Sequence, residues 1–347
     1  MRAAVFKGIG KPLSVESLPD PTPGPGEFVL RVGRCGICGT DLHMTDGTAP
    51  MQYSVGGVPG HEFAGEVVAV GKDVTRLSCG DFVTAMPFSG CGKCRWCLAG
   101  QPIFCAQMVR LDGGFSEFVL SRECVAVKLP RTLSLADGAL IEPLAVGLHG
   151  VSLSAPPVGA RVLIIGAGPI GLAALFWLKR QGAGAVVLTA SSRRREALAR
   201  EMGADHFVLP AAGQPLSAAS MDALGDMPDL VIEASGAPGM IAEAINCVRP
   251  RGTVSVLGFC VQADTFVPAT AMFKEVKVQF AITYALEEFE NVARVLDSGA
   301  VQARAMITDQ VTLDELPAAF EALRQRTHQC KVMVNPFGRA GTSASQL

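Results

Sequence analysis

Four cysteines, Cys91, Cys94, Cys97 and Cys105, stand in the stretch CGKCRWCLAGQPIFC with the spacing C-x2-C-x2-C-x7-C. Thiolates this close along a chain can wrap one ion tetrahedrally, as in a closed structural zinc site. Gly90, Gly92, Gly100 and Pro102 supply the turns that so tight a lobe needs. The run C-x2-C-x2-C also opens iron–sulfur clusters, but there the last cysteine is usually followed by proline, and Ala106 follows Cys105. Zinc is the expected ion, an iron–sulfur cluster the alternative, and four unrelated buried thiols the plain reading.

A second group of residues suits phosphate binding. Gly166-x-Gly168-x-x-Gly171, with Pro169 and Ile170 inside it, follows the apolar run Arg161–Ile165 and opens an apolar helix from Pro169 to Lys179. In a strand-to-helix turn of this kind the first glycine makes the bend and the second lets backbone approach a pyrophosphate. The third lets helix and strand pack closely, and the helix N-terminus faces the anion. The end of the next strand reads Leu188-Thr189-Ala190-Ser191-Ser192-Arg193-Arg194-Arg195, with no acid. An acid there binds the ribose 2′-OH of NAD and repels a 2′-phosphate, whereas Ser191, Ser192, Arg193 and Arg195 would hold one by charge-assisted hydrogen bonds. Arginines at a helix start oppose the macrodipole, a cost that a bound anion would offset. NADP(H) is therefore expected in preference to NAD(H).

The elements that must position these groups fall into two patterns. Up to about residue 150 the chain is rich in glycine and proline, with short strands expected at Val29–Val32, Glu66–Gly71, Asp81–Thr84 and Phe115–Val119, an irregular β-domain. From Arg161 apolar strands alternate with helices: Val186–Leu188, a polar helix from Arg193 to Met202, Leu230–Glu233, Val254–Gly258 and a last strand Val276–Ile282. That alternation implies a parallel sheet of βαβ units. Two helical stretches (Leu286–Ser298 and Leu313–Arg324) and a strand at Lys331–Val334 are expected to return to the first domain, and the tail from Gly338 to fray. The expected domains are 1–152 with a metal lobe at 88–108, 153–284 for the dinucleotide, and 285–347 as the return.

The 347 residues suffice for two cores, and 49% hydrophobic with 18% charged residues describes an ordinary globular chain. A net charge of -2 gives no electrostatic footprint for nucleic acid or an anionic membrane. Apolar runs are broken well short of a membrane span, and Met1-Arg2-Ala3-Ala4-Val5 begins a strand rather than a signal peptide. Clustered cysteines in a chain of this length suit metal binding in the cytoplasm better than a secreted disulfide scaffold.

Three further segments complete the pattern: Gly36-Ile37-Cys38-Gly39-Thr40-Asp41-Leu42-His43, Gly60-His61-Glu62 and Ile141-Glu142-Pro143. With the four-cysteine lobe and the glycine turn, in this order, they resemble the zinc-containing medium-chain dehydrogenase/reductase family, and within it the polyol, butanediol and threonine dehydrogenase branch. The resemblance spans nearly the whole chain. It implies a GroES-like catalytic domain with a Rossmann domain, two zinc ions per subunit and a hydride transfer between a nicotinamide and a secondary alcohol, diol or polyol or its ketone. It also implies that Cys38 and His61 bind a catalytic zinc, with Glu142 where the alcohol dehydrogenases have cysteine and Glu62 a ligand or near-ligand. Which glutamate binds directly stays open, although two carboxylates together would blunt the ion's acidity. Thr40 and His43 match the proton-relay positions, and Asp41 the partner that orients His61. The segment from Cys105 to Gly113 is shorter than is usual in the family, so no single relative's substrate transfers. The alternatives are a NAD-dependent threonine dehydrogenase-like enzyme, a zinc-free quinone reductase (disfavoured by Cys38, His61 and Glu142) and a non-catalytic nucleotide- and zinc-binding protein. The edge strand at Val276–Ile282 suggests a homodimer or homotetramer.

Overall fold

The computed structural model describes residues 1–325 and 327–338. The tail expected to fray therefore lies, from residue 339, outside the described residues. The chain divides into two compact units, Pro143–Tyr284 and the remainder on either side of it. The first division falls inside one helix, Leu135–Ser154, whose Pro143 lies within the helix.

Pro143–Tyr284 is built on six parallel strands: Arg161–Ile165, Ala185–Thr189, His206–Val208, Leu230–Glu233, Thr253–Val256 and Lys277–Phe280. Across the sheet they run third, second, first, fourth, fifth, sixth in chain order. This is the doubly wound order, with the reversal beside the first strand. The runs Val162–Ile164, Val186–Leu188 and Val231–Ile232 are wholly buried, as strands covered on both faces must be. The helix Pro169–Arg180 starts with proline at its first turn, where no amide hydrogen is missed, and packs eight consecutive residues from Gly171 to Leu178 inward. The sixth strand lies at the edge of the sheet, and no residue in it is fully buried.

In the other unit a seven-stranded sheet holds, in order, Ile307–Thr312, Lys331–Asn335, Glu27–Gly36, Glu62–Val70, Phe82–Ala85 and Ala126–Lys128, with Phe118–Arg122 also paired to Glu27–Gly36. The chain after residue 284 thus returns to the sheet of the N-terminal part and adds two strands to it. Antiparallel register sets Gly36 opposite Glu62, and Met333 opposite Gly36. The residue just before one strand and those just after the other therefore meet at one end of the sheet, which is where His61 and Cys38 stand.

Two local expectations are revised, and one helix appears where none was expected. Residues 39–46 form a helix, which their polar sequence GTDLHMTD does not announce. The stretch Arg193–Met202 is a short 3-10 turn (Arg193–Arg195) followed by the helix Glu196–Glu201. The second C-terminal helix is shorter than expected, Leu316–Ala322, because the polar strand Ile307–Thr312 and its turn precede it. Among the described residues no helix is long and apolar enough to cross a membrane.

Candidate functional site

Cys38 caps the helix Gly39–Asp46, and its amide donates to Asp41 Oδ2 at 3.1 Å. That reach of a third-position carboxylate back to the cap fixes the loop that presents the Cys38 thiol. The other Asp41 oxygen, Oδ1, accepts from His61 Nδ1 at 3.0 Å and from the Tyr53 hydroxyl at 2.7 Å. Asp41 is fully buried. Burial pushes its carboxyl up, but the His61 imidazole and the Tyr53 and Cys38 hydrogen bonds outweigh that and hold it below the usual carboxylate range. With Nδ1 engaged by a carboxylate, the second ring nitrogen of His61 is left as an electron-pair donor. Burial lowers the His61 pKa, yet the neighbouring Asp41 and Cys38 prevail and raise it well above the ordinary value.

Cys38, His61 and Glu62 each place a ligand atom so that all three lie within 4.8 Å of one another. Glu62 is fully buried; Oε1 accepts from Lys331 Nζ at 2.6 Å, while Oε2, also buried, has no hydrogen-bond partner. A buried carboxylate with one unpartnered oxygen, on a residue grouped with a thiol and an imidazole, suits a divalent cation, and sulfur, nitrogen and oxygen together are a zinc-type donor set. Gly36 makes room for it, since a Cβ there would lie 2.0 Å from Glu62 Oε2. Glu142 is buried on the helix Leu135–Ser154 and has interactions of its own; it is not a member of the group of three. Cys35 is buried against its own backbone and stands apart from the donors. Thr40, half-buried, and His43, whose Nδ1 lies 3.0 Å from the Thr48 hydroxyl, sit one turn apart on the helix that Cys38 caps.

The four lobe cysteines are also brought together, every Sγ within 4.8 Å of the other three. Four sulfurs about 2.3 Å from one ion lie about 3.8 Å apart, and Cys94 and Cys97 stand at 3.6 Å. A cluster of several irons would push the sulfurs further apart. Backbone amides of Cys91 and Gln107 donate to Cys105 Sγ at 3.4 and 3.3 Å, and those of Lys93 and Cys94 lower the Cys91 pKa, whereas burial pushes the Cys97 thiol up to about 12.

At the glycine turn Gly166 takes φ +112°, open to few other residues, and a Cβ on Gly171 would lie 1.9 Å from Gly166 O. Gly168 is different: the nearest atom to a Cβ there is Arg195 Nη1, at 3.9 Å. Pro169 and Ile170 open the helix, and the Arg195 guanidinium reaches over to donate to Ala167 O at 3.2 Å. Ala190, Ser191 and Ser192 follow the strand Ala185–Thr189, again without an acid. Arg193 is turned to Glu196 at 2.6 Å, and this acid in the first turn of Glu196–Glu201 offsets the macrodipole by itself. The dipole thus gives no reason for a bound anion; the missing acid and the placement of Arg195 do.

Lys331, Tyr53 and Arg110 were not singled out by the sequence. Arg110 forks onto Asp112 at 2.7 Å through both Nε and Nη2, and Nη2 also lies 3.4 Å from the Tyr53 hydroxyl. The one sequence signal for Lys331 is a charge on the same face as Met333, ahead of the apolar run Val332–Val334.

Residues 24–131 match the family described as alcohol dehydrogenase GroES-like domain, and residues 169–298 that described as zinc-binding dehydrogenase. The chain is 31% identical to the sorbitol dehydrogenase of Bacillus subtilis over 97% of each chain. It is 35% identical to the L-threonine 3-dehydrogenase of Saccharopolyspora erythraea, over 93% of this chain and 96% of that one. Among solved structures, a zinc-binding dehydrogenase of Sinorhizobium meliloti bound to NADP superposes with a TM-score of 0.88 at 32% identity, covering 96% of this chain and 99% of that one.

Proposed function

The chain belongs to the zinc-containing medium-chain dehydrogenases, with a GroES-like and a Rossmann-type domain, and on that premise we propose that it interconverts a secondary alcohol, diol or polyol and its ketone with NADP(H). The observation that carries this is the convergence of ligand atoms from Cys38, His61 and Glu62. These three would hold the catalytic zinc, and Cys91, Cys94, Cys97 and Cys105 a structural one. At the catalytic site zinc supplies a Lewis acid that makes an alcohol oxygen more acidic or a carbonyl carbon more electrophilic. The nicotinamide of a dinucleotide bound at Gly166–Gly171 supplies the hydride acceptor.

The chain's own residues do the rest. Asp41 fixes the His61 tautomer, and the cap at Cys38 holds the thiol in place. In oxidation the carbon loses a hydride to the nicotinamide and the oxygen loses a proton. Thr40 takes that proton and His43, about 40% exposed, passes it to solvent. Ser191, Ser192, Arg193 and Arg195 hold the 2′-phosphate of NADP(H). Glu142 acts from outside the donor set. Two copies associate through the edge strand Lys277–Phe280, where Met272, Phe273, Phe280 and Ile282 are all more than half exposed.

The test is a panel of secondary alcohols, diols, polyols, L-threonine and their ketones, run with both cofactors before and after chelation. Turnover that is lost on chelation, with kcat/KM favouring NADP(H) and a larger KM for NADP(H) in Arg195→Ala, supports the reading. A clear preference for NAD(H) overturns the cofactor assignment. No turnover with any member would leave a nucleotide- and zinc-binding protein.

A further inference from the structure

His43 sits in the last turn of the helix Gly39–Asp46, and the chain leaves that helix through Gly47 in the left-handed region, φ 84°. A left-handed residue after a helix turns the backbone back along it. The turn brings Thr48 beside an imidazole five residues earlier, with His43 Nδ1 and Thr48 Oγ1 3.0 Å apart. The Thr48 hydroxyl in turn donates to Asp46 Oδ1 at 2.6 Å, and the Thr48 amide donates to the same oxygen at 2.8 Å. The other carboxylate oxygen, Oδ2, faces Arg324 Nη1 at 3.6 Å. Arg324 is itself tied to the helix, donating to the carbonyl of Leu42 at 3.0 Å and to the Thr45 hydroxyl at 2.9 Å. Burial raises the Asp46 pKa, but the Thr48 hydroxyl and amide, with His43 and Arg324 nearby, prevail and hold it below the usual carboxylate range. Asp46 is therefore a carboxylate near neutral pH.

We infer that Asp46 and Thr48 are positioning residues that hold His43 with its hydrogen on Nδ1, so that Nε2 is the nitrogen that receives the proton in the relay. The inference rests on the part proposed above for His43. The reasoning counts hydrogens. A threonine hydroxyl carries one. Given to a carboxylate, it makes a charge-assisted bond roughly twice as strong as a neutral one, and the oxygen then has only lone pairs to offer His43. Two lone pairs do not bond, so Nδ1 must supply the hydrogen. Were the hydroxyl to turn towards Nδ1 instead, Thr48 Oγ1 and Asp46 Oδ1 would face each other at 2.6 Å with no hydrogen between them. A neutral imidazole with its hydrogen on Nδ1 keeps its electron pair on Nε2. Once Nε2 takes a proton the ring is a cation, and the Asp46 charge already stands beside it, with Oδ2 4.0 Å from Nδ1. Asp41 orients His61 by direct contact. At His43 a hydroxyl stands between ring and Oδ1, so the ring is oriented while its charge stays free to leave for solvent.

The test is nitrogen NMR of the zinc-loaded protein, isotopically labelled in its five histidines, with His43 assigned by its loss in His43→Gln. Above its titration His43 should show a protonated Nδ1 and an unprotonated Nε2. Thr48→Val should mix the two tautomers, and Thr48→Ser should restore the single one. Thr48 is exposed, so neither change disturbs the core. With the alcohol that the substrate panel identifies, Thr48→Val should lower kcat by about fivefold, a part of the roughly 100-fold that a positioned acid–base group contributes. KM should not move, and serine should recover the rate. A parent protein with its His43 hydrogen on Nε2, or a Thr48→Val spectrum like the parent's, would overturn the inference and leave the relay standing. His43→Gln separates the two levels: a large loss of kcat supports the relay, and an unchanged kcat removes His43 from the reaction and brings down both.

Discussion

Asp41→Asn is the sharpest probe of how the site is held. Asp41 accepts three hydrogen bonds while fully buried, from His61 Nδ1 (3.0 Å), Tyr53 Oη (2.7 Å) and the Cys38 amide (3.1 Å). Asparagine has the same shape but one acceptor oxygen and one amide donor. If its oxygen serves His61 and Tyr53, its amide faces the Cys38 N–H; if it turns round, its amide faces His61 and Tyr53. Either way a donor meets a donor, and the charge that strengthened the remaining bonds is gone. Losing a hydrogen bond to a charged group costs about 1.5–3 kcal/mol, and about 1.4 kcal/mol is a factor of ten. Zinc affinity at the Cys38–His61–Glu62 site should therefore fall about 10–100-fold, in line with other ligand-orienting groups. The assay is competition for zinc against a chelator of known affinity, with the four-cysteine lobe as an internal reference. Tyr53→Phe, which removes one donor and leaves the His61–Asp41 contact, should cost only about 1 kcal/mol. A folded Asp41→Asn protein whose affinity lies within about threefold of the parent would refute this account of the site.

Gly168→Ala and Gly171→Ala should fail differently. The first meets nothing closer than 3.9 Å, so the protein should keep its stability yet bind a dinucleotide on the order of tenfold more weakly, seen by calorimetry. The second would press on Gly166 O at 1.9 Å and should cost about 3 kcal/mol in urea melts. Cys97→Ser should release the lobe zinc and lower Tm while the zinc at Cys38 and His61 stays, checked by metal content. Arg304→Ala should cost about 1–2 kcal/mol near neutral pH, because Arg304 forks onto the buried Asp137 at 2.7 and 2.9 Å but is itself partly solvent-screened. Burial raises the Asp137 pKa, but Arg304 and Ser134 prevail and hold it below its unfolded value of about 3.9. The stabilisation is therefore complete above that value and lost as pH falls through the folded one, and the two proteins' melts should converge once the pH lies below the folded value.

What could be read in the sequence was what lies close along the chain. The lobe cysteines span one short segment, and the glycine turn carries its strand and helix with it. The helix Gly39–Asp46 was not legible because it buries only Asp41, Met44 and Thr45, so no apolar stripe marks it; the acid three residues after Cys38 was its one cue. The three arginines invited an electrostatic argument that Glu196 answers locally, a pairing set by side-chain direction rather than spacing. Lys331 lies 269 residues from Glu62, and only the register of the strands around Gly36 brings them together. The choice between Glu62 and Glu142 likewise turns on which side chain reaches the thiol and imidazole, information that the order of motifs does not contain.

The strand Lys331–Asn335 gives the site a place in the life of the chain. Both ligand-bearing segments are synthesised first, and the ammonium that balances Glu62 follows 269 residues later. A nascent chain therefore exposes a thiol, an imidazole and an uncompensated carboxylate while the sheet is still open, and the order of assembly favours capture of the ion before the lysine closes over it.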